Sequence, residues 1–271
     1  MKKVFSVLSI AILFAAVMSC QDNDPMAKKG IPQDVILELQ AAGFDTSEGL
    51  KAYQGGYIVE HDIFLTRAQI SMMGSKISTA LNGAEEHYRT TNLVTPNPRT
   101  LKIWLHPDFN ATMVSAFNTA LDRYNDGTLA MTLDFVPTST ESDANIKIIA
   151  FYENSTTLGL SAGFPSASGQ PASPIQLNTK YYGGTTGTRA DAATVIAHEI
   201  GHAIGLRHTD YMNRQYSCGP GPKNEGSAGV GAIYIPGTPT GPEAKSFMLA
   251  CSNNTDRPFT TGDRTALSTI Y

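Results

Sequence analysis

The chain has 271 residues, of which 16% are charged and 41% hydrophobic, and its formal net charge is −4. This length allows one sizeable core, and a slightly acidic chain without a basic stripe argues against binding to nucleic acid. We therefore expect a globular protein with one main domain and no nucleic-acid partner.

The N-terminus has the pattern of an export signal. Lys2 and Lys3 precede an apolar run over residues 4–17, which is too short to span a bilayer. Val17-Met18-Ser19-Cys20 resembles the lipobox of bacterial lipoproteins, which implies a signal peptide over residues 1–19 and lipidation of Cys20. A simple secretory signal with an incidental cysteine is the alternative. Residues 20–94 then form a tether and a segment like a pro-region, at the outer membrane or cell surface.

Two further cysteines, Cys218 and Cys251, form an even pair in an oxidising compartment, where a disulfide is expected. Closing a loop of about 34 residues would stabilise the fold by roughly 3 to 4 kcal/mol in the chain-entropy model. Two free thiols or a second metal site are the alternatives, and the lack of a CxxC pair speaks against the metal.

Residues 30–90 carry little apolar material. Val35, Leu37, Leu39 and Ala42 indicate a short amphipathic helix, and residues 57–65 alternate as in a strand. This segment is too poor in apolar residues to form an independent core.

From Thr100 the pattern changes to that of a larger core. Alternation predicts a strand over residues 101–105, and one apolar face predicts a helix over residues 111–124. Further strands are predicted around residues 131–135, 144–151 and 175–177, and residues 159–174 are expected to be a loop rich in Gly, Ser and Pro.

The apolar stripe of residues 190–204 predicts a long helix, with Thr188 or Asp191 as its cap. Residues 219–242 are rich in Gly and Pro and are expected to form an extended loop, followed by a terminal helix over residues 265–271.

Residues 198–208 spell HEIGHAIGLRH, a match to HExxHxxGxxH. His198 and His202 lie four residues apart on one helical face and can bind one Zn²⁺, while Gly205 lets the chain turn back and deliver His208 as the third ligand. Glu199 lies beside the metal and is the expected general base for an attacking water. Single histidines usually serve only structure, but a chance match at all five fixed positions is very improbable.

This motif resembles that of the metzincin clan of zinc endopeptidases, and within it the bacterial HEIGH-type (dual-action HEIGH) metallopeptidases. Ser246-Phe247-Met248 stands where the clan has its Met-turn, and Phe259 to Tyr271 is similar to the C-terminal helix of the matrixins. The resemblance covers residues 95–271. It implies an α+β fold with a twisted, mostly parallel sheet, an antiparallel edge strand, an active-site helix and a loop-rich C-terminal subdomain.

The resemblance also implies roles for particular residues. Met248 would pack under the histidines as a hydrophobic floor. The edge strand would bind a protein or peptide substrate by strand addition, and its candidate is Ile175, Gln176, Leu177 and Asn178. A disulfide between Cys218 and Cys251 would tie together two loops that shape the metal pocket.

A secreted peptidase is usually kept inactive until it is exported. Here a cysteine cannot block the zinc, because Cys20, the one cysteine before the motif, is expected to carry the lipid. Val59-Glu60-His61-Asp62 resembles the FxGD motif of astacin pro-regions, whose aspartate replaces the zinc-bound water, although His61 stands in place of the glycine. Asp62 is therefore a candidate latency ligand, and a surface carboxylate at a strand end is the alternative. His87 and His106 have no partner at ligand spacing and are expected to be exposed or bonded locally.

The function predicted from the sequence is that of a secreted zinc endopeptidase. A catalytically idle metzincin-fold lipoprotein that binds proteins or peptides is one alternative, and a zinc hydrolase of cell-wall peptide or amide bonds is another. Calcium is common in relatives, but Asp108, Asp122, Asp126 and Asp143 do not form a calcium loop. The sequence indicates neither an oligomeric state nor a cleavage specificity.

Overall fold

The computed structural model describes residues 30–47, 49–73, 87–183, 187–220, 232–241 and 243–271. The predicted leader and Cys20 lie outside these ranges. Within them, no helix has both the length and the apolar character needed to cross a membrane.

The helices of the described residues are α1 (Gln33–Ala41), α2 (Arg67–Met73), α3 (Ala111–Tyr124), α4 (Ala192–Ala203), α5 (Gln215–Cys218) and α6 (Thr261–Ile270). The strands are β1 (Lys51–Tyr53), β2 (Gly56–Val59), β3 (Ile63–Thr66), β4 (Tyr88–Arg89), β5 (Arg99–Leu105), β6 (Leu133–Thr138), β7 (Ile146–Phe151), β8 (Gly159–Ser161), β9 (Ile175–Asn178) and β10 (Ile233–Tyr234).

In the described chain, eight strands form one sheet in the order β1-β2-β3-β8-β9-β7-β5-β6. Strands β5, β6, β7 and β9 are parallel neighbours, and β8 runs antiparallel to β9. This confirms the predicted mixed fold with a mostly parallel sheet that also contains antiparallel strands. The parallel strands are connected through α3 and long loops, as parallel pairing requires.

The prediction that Ile175 to Asn178 form an edge strand is wrong. These residues form β9, which pairs with β7 on one side and with β8 on the other, so its backbone groups are already bonded. The antiparallel strand is instead β8, which lies within the stretch expected to be a loop. All four side chains of β9 are buried, as is usual for an interior strand.

The N-terminal segment extends this sheet instead of forming a body of its own. Strands β1, β2 and β3 form an antiparallel meander, and β3 joins β8 through the parallel pair Ile63 and Ser161. Helices α1 and α2 cover a small apolar cluster around Leu39, Ile63 and Ile70. The sheet therefore crosses the predicted boundary between residues 94 and 95.

The main core lies between the sheet and the packed pair α3 and α4. Asn110 caps α3 by accepting a hydrogen bond from Met113 N (3.0 Å), and the helix has the predicted bounds. Asp191 stands at the cap position of α4, but its carboxylate binds Arg189 (2.7 Å) and Tyr182 (2.9 Å). Tyr124 links the two helices because its hydroxyl donates to Ala197 O (2.7 Å).

The C-terminal helix begins four residues earlier than predicted, because Thr260 and Asp263 form a capping box. Asp263 also accepts hydrogen bonds from Ser246 Oγ (2.6 Å) and Phe247 N (3.3 Å), which fixes the turn before Met248. The expectation that His87 is exposed or locally bonded is wrong: its side chain is buried and its Nε2 lies 3.0 Å from Asp263 Oδ1. The network thus joins segments that are far apart in the chain.

Candidate metal centre

Helix α4 positions the first two histidines. His198 Nδ1 donates to Phe247 O (2.9 Å) and His202 Nδ1 donates to Leu206 O (2.9 Å). A carbonyl can only accept, so these bonds place the ring protons on Nδ1 and leave the Nε2 lone pairs facing each other, 3.0 Å apart.

The third histidine comes from the turn that ends α4. Gly205 has a φ of 111°, and a Cβ at this position would lie 3.0 Å from Thr90 Oγ1, so both the backbone and the space require glycine. Arg207 N donates to Tyr88 O (2.8 Å), which fixes the chain as it turns back. His208 Nε2 then lies 3.2 Å from His202 Nε2 and 3.3 Å from His198 Nε2.

The donor set fits a tetrahedral zinc ion. Nitrogen ligands about 2.0 to 2.1 Å from zinc would lie about 3.3 Å apart, close to the spacing of the three Nε2 atoms. Burial first, and then the charges of His198 and His208, hold the pKa of His202 well below its ordinary value. Buried lone pairs that converge in this way form a site suited to a cation, and these three histidines would hold it.

The carboxylate of Asp62, in the turn between β2 and β3, also lies where the three Nε2 atoms converge. Its Oδ2 lies 3.0 Å from Nε2 of His208, 3.5 Å from that of His198 and 3.9 Å from that of His202. Burial acts to raise the pKa of Asp62, but His208 and the other two histidines lower it well below its usual value. His61 adopts a φ of 78°, a conformation that favours glycine, where astacin pro-regions have one.

Glu199 lies beside the histidines and is 2% exposed. A Cβ on Gly159 would lie 2.5 Å from Glu199 Oε1, so the glycine that opens β8 leaves room for the carboxylate. Burial first, and then the charge of Asp62, raise the pKa of Glu199 well above its ordinary value. Sequence reasoning missed Gly159, because nothing in its local pattern indicates contact with α4.

Met248 lies under the active-site helix, with 1% of its surface exposed. A Cβ on Gly201 would lie 2.5 Å from Met248 Sδ, so the glycine within the motif permits the helix to rest on the Met-turn. Met248 O also accepts a hydrogen bond from Thr209 N (2.9 Å), next to His208. The turn therefore contacts both the helix and the third histidine's loop.

A family model described as a dual-action HEIGH metallo-peptidase matches residues 57–271. The chain belongs to this family. Its members are metallopeptidases, and the matched region begins in β2, so it includes the turn that carries Asp62.

Among solved structures, this HEIGH metallopeptidase is similar to one titled "Structure of myroilysin", with 14% sequence identity and a TM-score of 0.42. The match covers 68% of this chain and 98% of the other. No curated protein matches the sequence significantly.

The predicted disulfide of the metallopeptidase is confirmed: Cys218 and Cys251 are bonded, with their Cα atoms 5.1 Å apart. Cys218 ends α5 and Cys251 follows the Met-turn, so the bond joins the two loops expected from the sequence. Asp210 strengthens the same junction, because it accepts hydrogen bonds from Ala250 N (2.9 Å) and Ser217 Oγ (2.5 Å).

Replacing Cys218 and Cys251 together by serine is expected to lower the free energy of unfolding by about 3 kcal/mol, because the open chain gains entropy when unfolded. Urea unfolding of the oxidised protein and of the double variant measures this difference. Zinc affinity should fall as well, since the bond holds the loops of the site. A reductant should weaken the wild type alone, and equal stability and zinc affinity of both proteins would contradict the role.

Sequence reasoning also missed two buried arginines that hold the N-terminal segment. Arg207 Nη2 lies 3.0 Å from both carboxylate oxygens of Glu60, which stands two residues before Asp62. Arg214 Nη2 lies 3.2 Å from Asp45 Oδ2 in the loop after α1. Each pair joins residues more than a hundred positions apart, so no local spacing could reveal it.

Proposed function

We propose that this metallopeptidase is an exported zinc endopeptidase in which Glu199 acts as general base. The convergence of the three Nε2 lone pairs beside the Glu199 carboxylate supports this proposal most directly. Bound zinc would supply a Lewis acid that polarises the scissile carbonyl and acidifies water. Glu199 would accept a proton from the attacking water, whose oxygen bonds to the carbonyl carbon, and would pass that proton to the amine released when the C–N bond breaks.

In this proposal β8 is the strand that aligns the substrate. It is the antiparallel strand whose first residue approaches Glu199, and its side away from β9 would accept an extended peptide through main-chain hydrogen bonds. In the described chain this side is taken by β3, with Ser161 N bonded to Asp62 O (2.8 Å). A substrate therefore has to displace the turn that carries Asp62, which supports a latent precursor.

The test is the zinc content of the full chain carrying Asp62→Ala and its cleavage of casein, compared with those of the same chain carrying Glu199→Ala as well. We expect one zinc per chain in both proteins and a loss of activity of at least about a hundredfold in the variant. A peptidoglycan substrate run in parallel tests the cell-wall alternative. Zinc binding without cleavage, before and after removal of the N-terminal segment, would contradict the peptidase and favour a binding protein.

We also propose that the chain is exported and anchored through a lipid on Cys20. The support is the signal pattern of residues 1–20 and the Cys218 to Cys251 bond, which suits an oxidising compartment. Cells that express the full chain should incorporate labelled palmitate into it, and Cys20→Ser should abolish the label. Equal labelling of the two proteins would rule out lipidation at Cys20.

A further inference from the structure

A cavity of about 450 Å³ opens beside Glu199 and His198. Its back wall is formed by Thr194 and Val195, which precede His198 by about one turn of α4, and by residues 249–252 after the Met-turn. With a scissile carbonyl held at the histidines, a substrate side chain next to that bond is the one placed to enter this cavity. Its lining therefore bears on cleavage specificity.

The lining carries three guanidinium groups. Arg189 is neutralised by Asp191 (2.7 Å), and Arg214 is bound to Asp45 (3.2 Å) of the N-terminal segment. The acidic residues of the lining are Asp62, which belongs to the N-terminal segment, and Glu199. Release of that segment would remove two of the carboxylates that now face these arginines.

The third guanidinium, that of Arg257, is buried without a counter-charge of its own. The residue is 5% exposed, and in the described part of the chain its Nε has no hydrogen-bond partner and its guanidinium makes no ion pair. Nη2 makes one long bond, to Cys251 O (3.4 Å), and the backbone is fixed by Arg257 N donating to Thr194 Oγ1 (2.6 Å). The residue is therefore fixed at the cavity wall by its backbone, and its Nε–H has no acceptor.

The three carboxylates that act electrostatically on Arg257 have other close partners. Asp191 binds Arg189 and Tyr182, Asp210 accepts from Ala250 N, and Asp263 accepts from Ser246. Burial lowers the pKa of Arg257, and the charges of these three carboxylates oppose that change. A buried guanidinium without a close partner is costly, and a carboxylate that enters the cavity would offset this cost with charge-assisted hydrogen bonds.

We propose that Arg257 makes this cavity a subsite that selects a substrate with an aspartate or glutamate side chain next to the scissile bond. This inference rests on the proposed peptidase function. The carboxylate would bind to the guanidinium of Arg257, and Arg214 would be a second positive group in the lining of the same cavity. An amide of the same shape would leave the guanidinium buried without its charge partner, so Glu and Gln should be distinguished strongly.

The test uses the zinc-loaded full chain carrying Asp62→Ala. A mixed peptide library is digested and every cleavage site is identified by mass spectrometry. Acidic residues should be enriched at one of the two positions that flank the cleaved bond. For matched peptides, the acidic member should have a kcat/KM higher than its amide by on the order of ten- to a hundredfold.

Arg257→Gln should reduce this Glu-to-Gln ratio to near one while neutral peptides are still cleaved, and Arg257→Lys should leave an intermediate ratio. Arg99→Gln, which removes a partly exposed guanidinium that does not line the cavity, is the matched control and should keep the wild-type ratio. Equal losses for acidic and neutral peptides in Arg257→Gln would indicate a merely structural role and overturn the proposal.

If Arg257→Gln does not fold, the library digest by the protein that retains Arg257 decides the question by itself. Cleavage without acidic enrichment at either flanking position would overturn the subsite and leave the peptidase function intact. A zinc-loaded protein that cleaves neither casein nor any library peptide would remove the proposed function and the subsite with it.

Discussion

Replacing Asp62 by alanine is expected to raise the casein-cleaving activity of the uncleaved full chain at least about tenfold, since the carboxylate competes with water and substrate for the same position. Its Oδ2 lies within 3.0 to 3.9 Å of all three Nε2 atoms. With alanine at this position, the turn between β2 and β3 loses its contact with the metal ligands. Initial rates of the two full chains at equal zinc content measure the effect.

Asp34→Ala is the matched control for Asp62→Ala. Asp34 also lies in the N-terminal segment, but its carboxylate is exposed and binds Arg67 (3.0 Å) on α2. We expect it to leave the activity of the full chain unchanged. If Asp62→Ala and the wild type are equally inactive with one zinc each, Asp62 is not the latency ligand, and the pairing of β3 with β8 would have to account for any latency.

The sequence predicts the convergence of the three histidines because their geometry is local. Residues four apart on a helix and a glycine before the turn determine where His198, His202 and His208 can meet, whatever surrounds them. Helix α3 is predicted with the bounds observed, since its cap at Asn110 and its apolar face lie within one continuous segment. The disulfide also follows from counting cysteines once an oxidising compartment is assumed.

The prediction of the edge strand is wrong for a physical reason. Alternation in Ile175-Gln176-Leu177 shows that a strand is present, but not which strands lie beside it, because lateral pairing depends on distant residues. Strand β8 has only three residues, all buried, which are too few for a periodic signal, and they lie in a stretch rich in Gly, Ser and Pro. The contacts of Glu60 with Arg207 and of His87 with Asp263 are likewise long-range and have no local signature.

Replacing Gly159 by alanine is the second change with a large expected effect on kcat, because it would move the Glu199 carboxylate. Its backbone is not in the left-handed region, so alanine fits β8 locally, but the added Cβ would lie 2.5 Å from Glu199 Oε1 and 3.0 Å from its carboxyl carbon. Because Glu199 is buried, its carboxylate can make room only by leaving its place beside the histidines. A displacement of about 1 Å at a catalytic group can cost on the order of a hundredfold in rate.

Gly159→Ala, made in the Asp62→Ala background, is therefore expected to lower kcat on casein by on the order of a hundredfold, with zinc content and thermal unfolding unchanged. Gly127→Ala is the matched control, since a Cβ there meets no atom within 4 Å and should leave kcat as it was. Full activity of Gly159→Ala would mean that the Glu199 carboxylate acts from another position. Loss of zinc together with activity would instead mean that Gly159 supports the metal ligands, because a misplaced general base leaves three histidines able to bind the ion.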